Sequence, residues 1–457
     1  MGFQKIPCHV HNFSAIGGVA ASLGLFIQEI LLTKTTMVHV DSATDAGENR
    51  ERLGQDGPER RGVRVLHVAS WFPSELHGSL GNFIARHVAA ISTATGPSAV
   101  IVAIPVPKHR LGGIPPRLEP PVPLEGAALG VEVHRAYVPA KRPGVILMTR
   151  ALKQLAHRWV ASTGERPDIV HLHVTYPAGA AARQLADRYG VPLVVTEHWT
   201  ALGPTLPPPV ATPTPNAGAS RLPLWVRLSV RRTLRRAAMA CPVSGDLGRG
   251  LAGFGLKQSQ TIPNVVDTDR FHLPDAPRRP MLLHVSSMLD RQKNVSEMLS
   301  AFARVRGELP ADATFVLVGQ NDLPRHAQTI AQLGLADHVV LRGGLEATEV
   351  AAIMRTAAAF VLFSRFENFP CVLPEAWASG LPVIAPDVGG IAEALQTRPD
   401  RGILVPAGDG AALERAMVDA FKTPWDRTAM RAFAEAHYSI PAIASAYADV
   451  YKQCLRR

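Results

Sequence analysis

"AAFVLFSRFENFPCVLPEAWASGLPVIAPD" (Ala358–Asp387) places three local signals side by side within thirty residues. "AAFVLFS" is a continuous apolar run, which predicts a strand buried on both faces. "PEAWASG" predicts a helix that Gly380 ends, because glycine takes the left-handed conformation past a helix terminus at little cost. "LPVIAPD" reads as the next strand. Strand, loop, helix and strand in this order make the repeating unit of a parallel α/β sheet. Glu367 then lies in the loop at the carboxyl end of the first strand, and Glu375 lies in the first turn of the helix.

The same alternation extends in both directions. Towards the amino terminus, "VRVLHVA" (63–69), "SAVIVAI" (98–104), "DIVHLHV" (168–174), "PLVVTEH" (192–198) and "AMACPVS" (238–244) are strand-like and alternate with amphipathic stretches. From Arg279 onward a second series runs through "MLLHVSSM", "ATFVLVGQ", "HVVLRGGL", "AAFVLFSR", "LPVIAPD" and "GILVPAG". Residues 63–265 are therefore expected as one doubly wound domain and 281–430 as a second. A Pro- and Asp-rich connector at 266–280 joins them, and a helical segment at 431–457 is expected to pack back on the first domain. Ligands of open α/β sheets bind outside the carboxyl ends of the strands.

Composition narrows the function. With 457 residues, 47% hydrophobic and 19% charged, the chain is long and apolar enough for large cores. Its four cysteines are scattered and show no metal-ligand spacing, which suits a reducing compartment. The net charge of +10 points to an anionic ligand or surface. Zinc-finger spacing and an aromatic-rich RNA-binding signature are both missing, so nucleic acid is not expected. Residues 1–62 read as an upstream extension, since Gln28 and Glu29 interrupt its apolar run "NFSAIGGVAASLGLFIQEILL". The stretch 203–220 is a Pro- and Ala-rich loop, and 222–239 is an amphipathic helix rich in arginine. An ordinary solvated face and a contact with anionic lipid are both open readings of that helix.

The Glu367–Glu375 segment carries the chemistry. Loop amides and a helix amino terminus form an anion site, and ionised carboxylates accept hydrogen bonds from hydroxyls. A phosphate flanked by two hydroxylated rings fits that combination, which describes a sugar nucleotide. Glu375 as a mere partner of the helix dipole would leave Glu367 unexplained.

"ENFPCVLPEAWASGLPVIAPDVGGIAEAL" closely resembles the donor-site signature of family 4 glycosyltransferases, including its spacing of the two glutamates. "WFPSELHGSLGNFIARH", "RPDIVHLHV", "TEHW", "IPNVVD", "HVSSMLDRQKNV" and "RGILVPAGDGAAL" continue the resemblance in the family's order, from Arg64 to Tyr451. The resemblance implies the GT-B fold: two Rossmann-like domains facing each other across a cleft. It implies hexose transfer from a UDP- or GDP-linked donor to a glycan or lipid-linked acceptor, with retention of configuration, without metal or other cofactor. By position, it implies that Glu375 binds the donor ribose and Glu367 the transferred sugar. The amides near Asn368 and Phe369 would face that sugar or its phosphates. Lys293 would bind the diphosphate, Gly344 and Leu345 in "RGGL" the nucleobase, and His198 the amino-terminal side of the cleft. Gly81 would let its loop approach both substrates. Many members carry an arginine five residues before the lysine; here Met288 stands there, with Ser286 and Ser287 before it and Arg291 as a substitute cation.

Other candidates carry less. His171 and His173 flank Leu172 on one strand, where structural roles are expected. "DTD" (267–269) resembles a metal-binding Asp-x-Asp but sits in the connector, so no metal is assigned. Trp377 is expected in the core. The competing functions are a glycosidase, which also uses two carboxylates, a GT-B-related epimerase and a non-catalytic sugar-nucleotide binding protein. The arginine-rich helix leads to an expectation of a cytoplasmic protein, peripheral at the inner face of the membrane.

Overall fold

The computed structural model describes residues 62–76, 78, 80–106, 117–128, 130–140, 144–204, 222–275, 277–396 and 399–456. The extension ahead of Gly62 and nearly all of the Pro- and Ala-rich loop lie outside the described residues.

The first sheet comprises β1 (Val65–Ala69), β2 (Ser98–Val106), β3 (Arg117–Leu118), β4 (Val122–Pro123), β5 (Val131–Pro139), β6 (Ile169–His173), β7 (Leu193–Glu197) and β8 (Met239–Pro242). Its order is β3-β5-β2-β1-β6-β7-β8, with β4 also on β5. β3 and β4 run antiparallel to β5, and the other pairings are parallel. The second sheet comprises β9 (Met281–Val285), β10 (Thr314–Val318), β11 (Val339–Arg342), β12 (Ala359–Val361), β13 (Val383–Pro386) and β14 (Gly402–Val405). It is parallel throughout in the order β11-β10-β9-β12-β13-β14. With the two short edge pairings set aside, both sheets have the doubly wound order of a Rossmann fold. Each reverses direction beside its first strand, between β1 and β6 and between β9 and β12, and the crevice at such a reversal is where ligands bind.

The apolar runs become strands because both sheet faces are covered: every residue of β1, β6 and β7 is buried. β5 is absent from the expected strands. Its Glu132 and Arg135 interrupt an apolar alternation, yet it pairs with β2 over nine residues.

The carboxyl-terminal end of the chain returns to the first domain. Ser439 opens the helix Ile440–Leu455 by accepting a hydrogen bond from the Ala442 amide at 3.3 Å. That helix buries Ile443, Tyr447, Val450, Tyr451 and Cys454 in one core with Val65, Ile91, Ile169, Val194 and Cys241. The two chain crossings run side by side, since the Val266 amide donates to the Tyr438 carbonyl at 2.8 Å.

Candidate functional site

Two loops meet at the switch point of the second sheet. After β9, Ser286 begins a turn that leads into the short helix Asp290–Lys293, which stops because Asn294 turns left-handed at φ 56°. After β12, Arg365 ties the second loop to the first. Its amide donates to the Gln292 carbonyl at 2.8 Å and its guanidinium to Asn294 Oδ1 at 2.6 Å. Lys293 Nζ consequently lies 2.5 Å from Glu367 Oε1, with the two side chains only 13% and 8% exposed. Gly389 lets the following loop lie flat against this one: at its φ of 55°, a Cβ would fall 1.9 Å from the Glu367 carbonyl oxygen. The Asn368 carbonyl then accepts the Gly390 amide at 2.7 Å.

Glu375 sits on the helix Val372–Ala378, where it is buried, and Arg86 of the other domain reaches it at 2.5 Å. Burial pushes the Glu375 carboxyl above its ordinary range, and Arg86 draws it back. On Arg86 burial works to lower the pKa, but Glu375 outweighs it and the guanidinium ends above its ordinary value. Arg86 was not among the sequence candidates. It lies on the half-buried side of the amphipathic helix Asn82–Ser92, where nothing local separates it from a solvated arginine.

The amino-terminal domain closes over the same loop. Asn368 Nδ2 donates to the His198 carbonyl at 2.6 Å, and Asn264 Nδ2 donates to the Phe369 carbonyl at 2.6 Å. Glu393 Oε2 accepts the Gly245 amide at 2.8 Å. Glu197, buried beside His198, shapes that side of the cleft. Its Oε2 accepts the Thr175 amide and hydroxyl at 2.8 and 2.6 Å, and its Oε1 accepts the His198 and Trp199 amides at 2.9 and 2.8 Å. Burial raises its pKa, with these four bonds opposing the rise. The His198 ring lies against Phe83 at 4.4 Å between centroids, and its buried Nε2 has no hydrogen-bond partner among the described residues. Burial, with His87 adding to it, holds this imidazole neutral.

The remaining candidates fall around this centre. Gly81 turns left-handed at φ 77°, and a Cβ there would strike the Trp71 carbonyl at 2.8 Å. Gly344 and Leu345 follow β11 at its carboxyl end, two strands from β9. Ser286 is committed locally. His284 Nδ1 can only donate to the Val361 carbonyl, 2.7 Å away, so its Nε2 accepts the Ser286 hydroxyl at 2.7 Å. The same hydroxyl oxygen accepts the Met288 amide at 2.9 Å. Met288, where the family resemblance leads to an expectation of arginine, is buried in the second domain's core. Ser287 and Arg291 are exposed. Asp267 of "DTD" holds its own turn, with Oδ1 accepting the Asp269 and Arg270 amides at 3.2 and 3.1 Å. Trp377 is fully buried.

One arrangement of metal-ligating type occurs among the described residues. His67, His171 and His173 are buried with their ring nitrogens within 4.8 Å of one another. Both nitrogens of His171 are already engaged, by the Tyr451 hydroxyl and Thr196 Oγ1, each at 2.7 Å. Burial holds all three imidazoles neutral. A cation here would be stripped of water without any anionic ligand, so the triad reads as hydrogen-bonded core.

A family model described as "Glycosyltransferase Family 4" matches residues 100–270, and one described as "Glycosyl transferases group 1" matches 279–423. The chain is 28% identical over 431 residues to a glycogen synthase of Mycobacterium tuberculosis, spanning 85% of this chain and 94% of that protein. Its fold is similar to that of a sucrose-phosphate synthase from Thermosynechococcus elongatus, with a TM-score of 0.66 at 20% identity, covering 86% of this chain and 98% of that one. An Anabaena protein, Alr3699/HepE, solved in complex with UDP and glucose, gives 0.60 at 17% identity, covering 86% and 100% of the two chains. With two doubly wound domains, a lysine–glutamate pair at the second switch point and both halves matched in order, the chain belongs to the family 4-type glycosyltransferases of the GT-B fold.

Proposed function

We propose that this glycosyltransferase moves a hexose from a UDP- or GDP-linked donor to a glycan or lipid-linked acceptor, with retention of configuration, in the synthesis of cell-surface polysaccharide or glycolipid. The observation that carries the reading is the Lys293–Glu367 pair in the loops at the second switch point. A carboxylate held there suits the hydroxyls of the transferred sugar. The lysine suits the departing diphosphate, whose charge grows as the glycosidic bond breaks and is best stabilised by a preplaced cation. Glu375, in the first turn of the helix that follows, suits the ribose. The step is read as front-face and oxocarbenium-like, with departing phosphate and entering hydroxyl sharing one face. His198, with an unpartnered Nε2, supplies a hydrogen-bonding group from the opposite domain.

The acceptor side has its own cavity of about 710 Å³ beyond β1, lined in part by Ser74, Glu75, Glu119, Arg135 and Tyr137. Its mixture of carboxylates, hydroxyls and a guanidinium suits a hydroxyl-rich acceptor. The helix Leu224–Arg236 supports delivery of that acceptor from a membrane. Leu224, Trp225 and Leu228 are 69%, 55% and 39% exposed. Arg227, Arg231, Arg232 and Arg235 are exposed beside them. Apolar tips with flanking arginines fit the interface of an anionic bilayer, and the reading places the protein in the cytoplasm at the inner face. No helix among the described residues is long and apolar enough to cross a membrane.

The test is a panel of UDP- and GDP-hexoses incubated with the purified full chain. Release of UDP or GDP from one of them is expected, and nuclear magnetic resonance of the product then reports the anomeric configuration. A donor converted to its epimer without nucleotide release would overturn the transferase assignment. An inverted product would overturn retention.

A further inference from the structure

A run of buried polar groups connects the carboxyl-terminal helix to the loop that holds Glu367. Tyr451 OH lies 2.7 Å from His171 Nδ1, and His171 Nε2 lies 2.7 Å from Thr196 Oγ1. Thr196 Oγ1 lies 2.9 Å from Tyr447 OH, which lies 3.0 Å from His87 Nδ1. His87 Nε2 lies 3.2 Å from Asn264 Oδ1, and Asn264 Nδ2 lies 2.6 Å from the Phe369 carbonyl oxygen. All six side chains are buried.

The direction of every bond follows from the last one. A carbonyl oxygen only accepts, so the Asn264 amide must present its NH₂ to Phe369 and its oxygen to His87. His87 Nε2 therefore carries the proton. Burial lowers the pKa of this imidazole to about 4, so it is neutral and its Nδ1 accepts from the Tyr447 hydroxyl. Tyr447 has then spent its only proton, and its oxygen accepts from Thr196. The Thr196 oxygen in turn accepts from His171 Nε2, whose Nδ1 accepts from Tyr451. Tyr451 donates at the head of the chain, and Thr196, Tyr447, His171 and His87 each donate once and accept once within it. Reversing any one of them would set two donors or two acceptors against each other in a site closed to water, where an unsatisfied group is costly.

We propose that Asn264 is a positioning residue for the donor loop, held in its working orientation by this one-way chain from Tyr451 through His171, Thr196, Tyr447 and His87. The carboxyl-terminal helix thereby sets the backbone of a loop in the other domain, beside the Lys293–Glu367 pair. Only the consequence for catalysis rests on the proposed function; the structural linkage stands independently of it.

Hydrogen–deuterium exchange on the ligand-free full chain tests the linkage, followed by mass spectrometry of peptides covering Arg365–Val372. Asn264→Ala should accelerate exchange there about tenfold, the effect of losing roughly one buried hydrogen bond. Tyr447→Phe should accelerate the same peptides about threefold, although the deleted hydroxyl is two side chains away from the loop. Val450→Ala, on the same helix but outside the chain, should lower the melting temperature and leave the loop's exchange unchanged. Loop exchange unaltered by Asn264→Ala would overturn the proposal. So would equal acceleration by Val450→Ala and Tyr447→Phe, because general loosening would then explain both. The catalytic arm uses nucleotide release from the donor that the panel identifies. There kcat/KM should fall about tenfold in Asn264→Ala, and the affinity for free nucleoside diphosphate should stay within twofold. A loosened loop with unimpaired kcat/KM would overturn the positioning role.

Discussion

Arg86 and Glu375, 289 residues apart in sequence, share a hydrogen bond of 2.5 Å from one domain to the other. The carboxylate expected to receive a ribose is thus held by a cation of the facing domain, and a ribose would have to share or displace it. Arg86 is 35% exposed, whereas Glu375 is only 6% exposed on the helix that carries it.

That relationship makes stability depend on pH in a stated direction. Burial raises the Glu375 pKa in the fold, so the folded state holds its proton more tightly than the unfolded chain does. This group therefore loses stability as pH rises from about 4.3 through its folded pKa. Arg86 limits the loss. In Arg86→Gln the loss should deepen, costing about 2 kcal/mol at pH 8 once partial exposure of the pair is allowed for, and little near pH 4. Urea denaturation at the two pH values measures it. An equal cost at both would show that Arg86 does not act through the Glu375 charge.

Glu375→Ala should weaken donor binding by about 2 kcal/mol, the loss expected for charge-assisted hydrogen bonds to hydroxyls. Titration calorimetry with the identified UDP- or GDP-hexose measures it. Unchanged affinity would remove Glu375 from the donor site.

Gly389→Ala should cut nucleotide release at least tenfold with a smaller change in melting temperature. The added methyl would press on the Glu367 carbonyl, and the loop would have to move by more than an ångström to admit it. Wild-type kinetics in this variant would show that the loop's close seating is dispensable.

Activity should survive exhaustive chelation, since the proposed reading gives Lys293 the work of neutralising the departing diphosphate. Assays after EDTA dialysis check this. Loss of activity that Mg²⁺ or Mn²⁺ restores would contradict it.

Replacing Leu224, Trp225 and Leu228 with serine should reduce co-sedimentation with anionic vesicles at physiological salt. Replacing Arg227, Arg231 and Arg235 with glutamine should reduce it most at low salt, where the attraction is least screened. Neither set touches the donor site, so donor hydrolysis should persist in both. Failure of the wild-type chain to bind such vesicles even at low salt would leave the helix as a solvated face.

Much of this molecule can be read from local chemistry. Apolar runs such as "VLHVA" and "AFVLF" announce strands buried on both faces, and the glycines at 81 and 380 stand at left-handed turns. The Glu367–Glu375 spacing with Lys293 locates the strand ends where a ligand would bind, because a parallel α/β sheet always offers them. β5 escaped because Glu132 and Arg135 break up its apolar runs. β3 and β4 are two-residue pairings with no periodicity to detect.

What only the tertiary structure decided is which residues meet. Arg86 reads as one arginine on an amphipathic helix, Asn264 as a residue near the end of the first domain, and His171 as a structural histidine with no partner named. Periodicity reports which face of an element is buried and says nothing of what is buried against it. The helix Ile440–Leu455 returns across the whole chain to the first domain, bringing Tyr447 within 3.0 Å of His87, 360 residues away. Partnerships of that kind depend on how two independently patterned domains dock. The polar groups inside had to find one another because burial left them no water to bond. Strand, turn and charge are local properties and survive in the one-dimensional text, whereas a pairing across a cleft is fixed only when the two surfaces close.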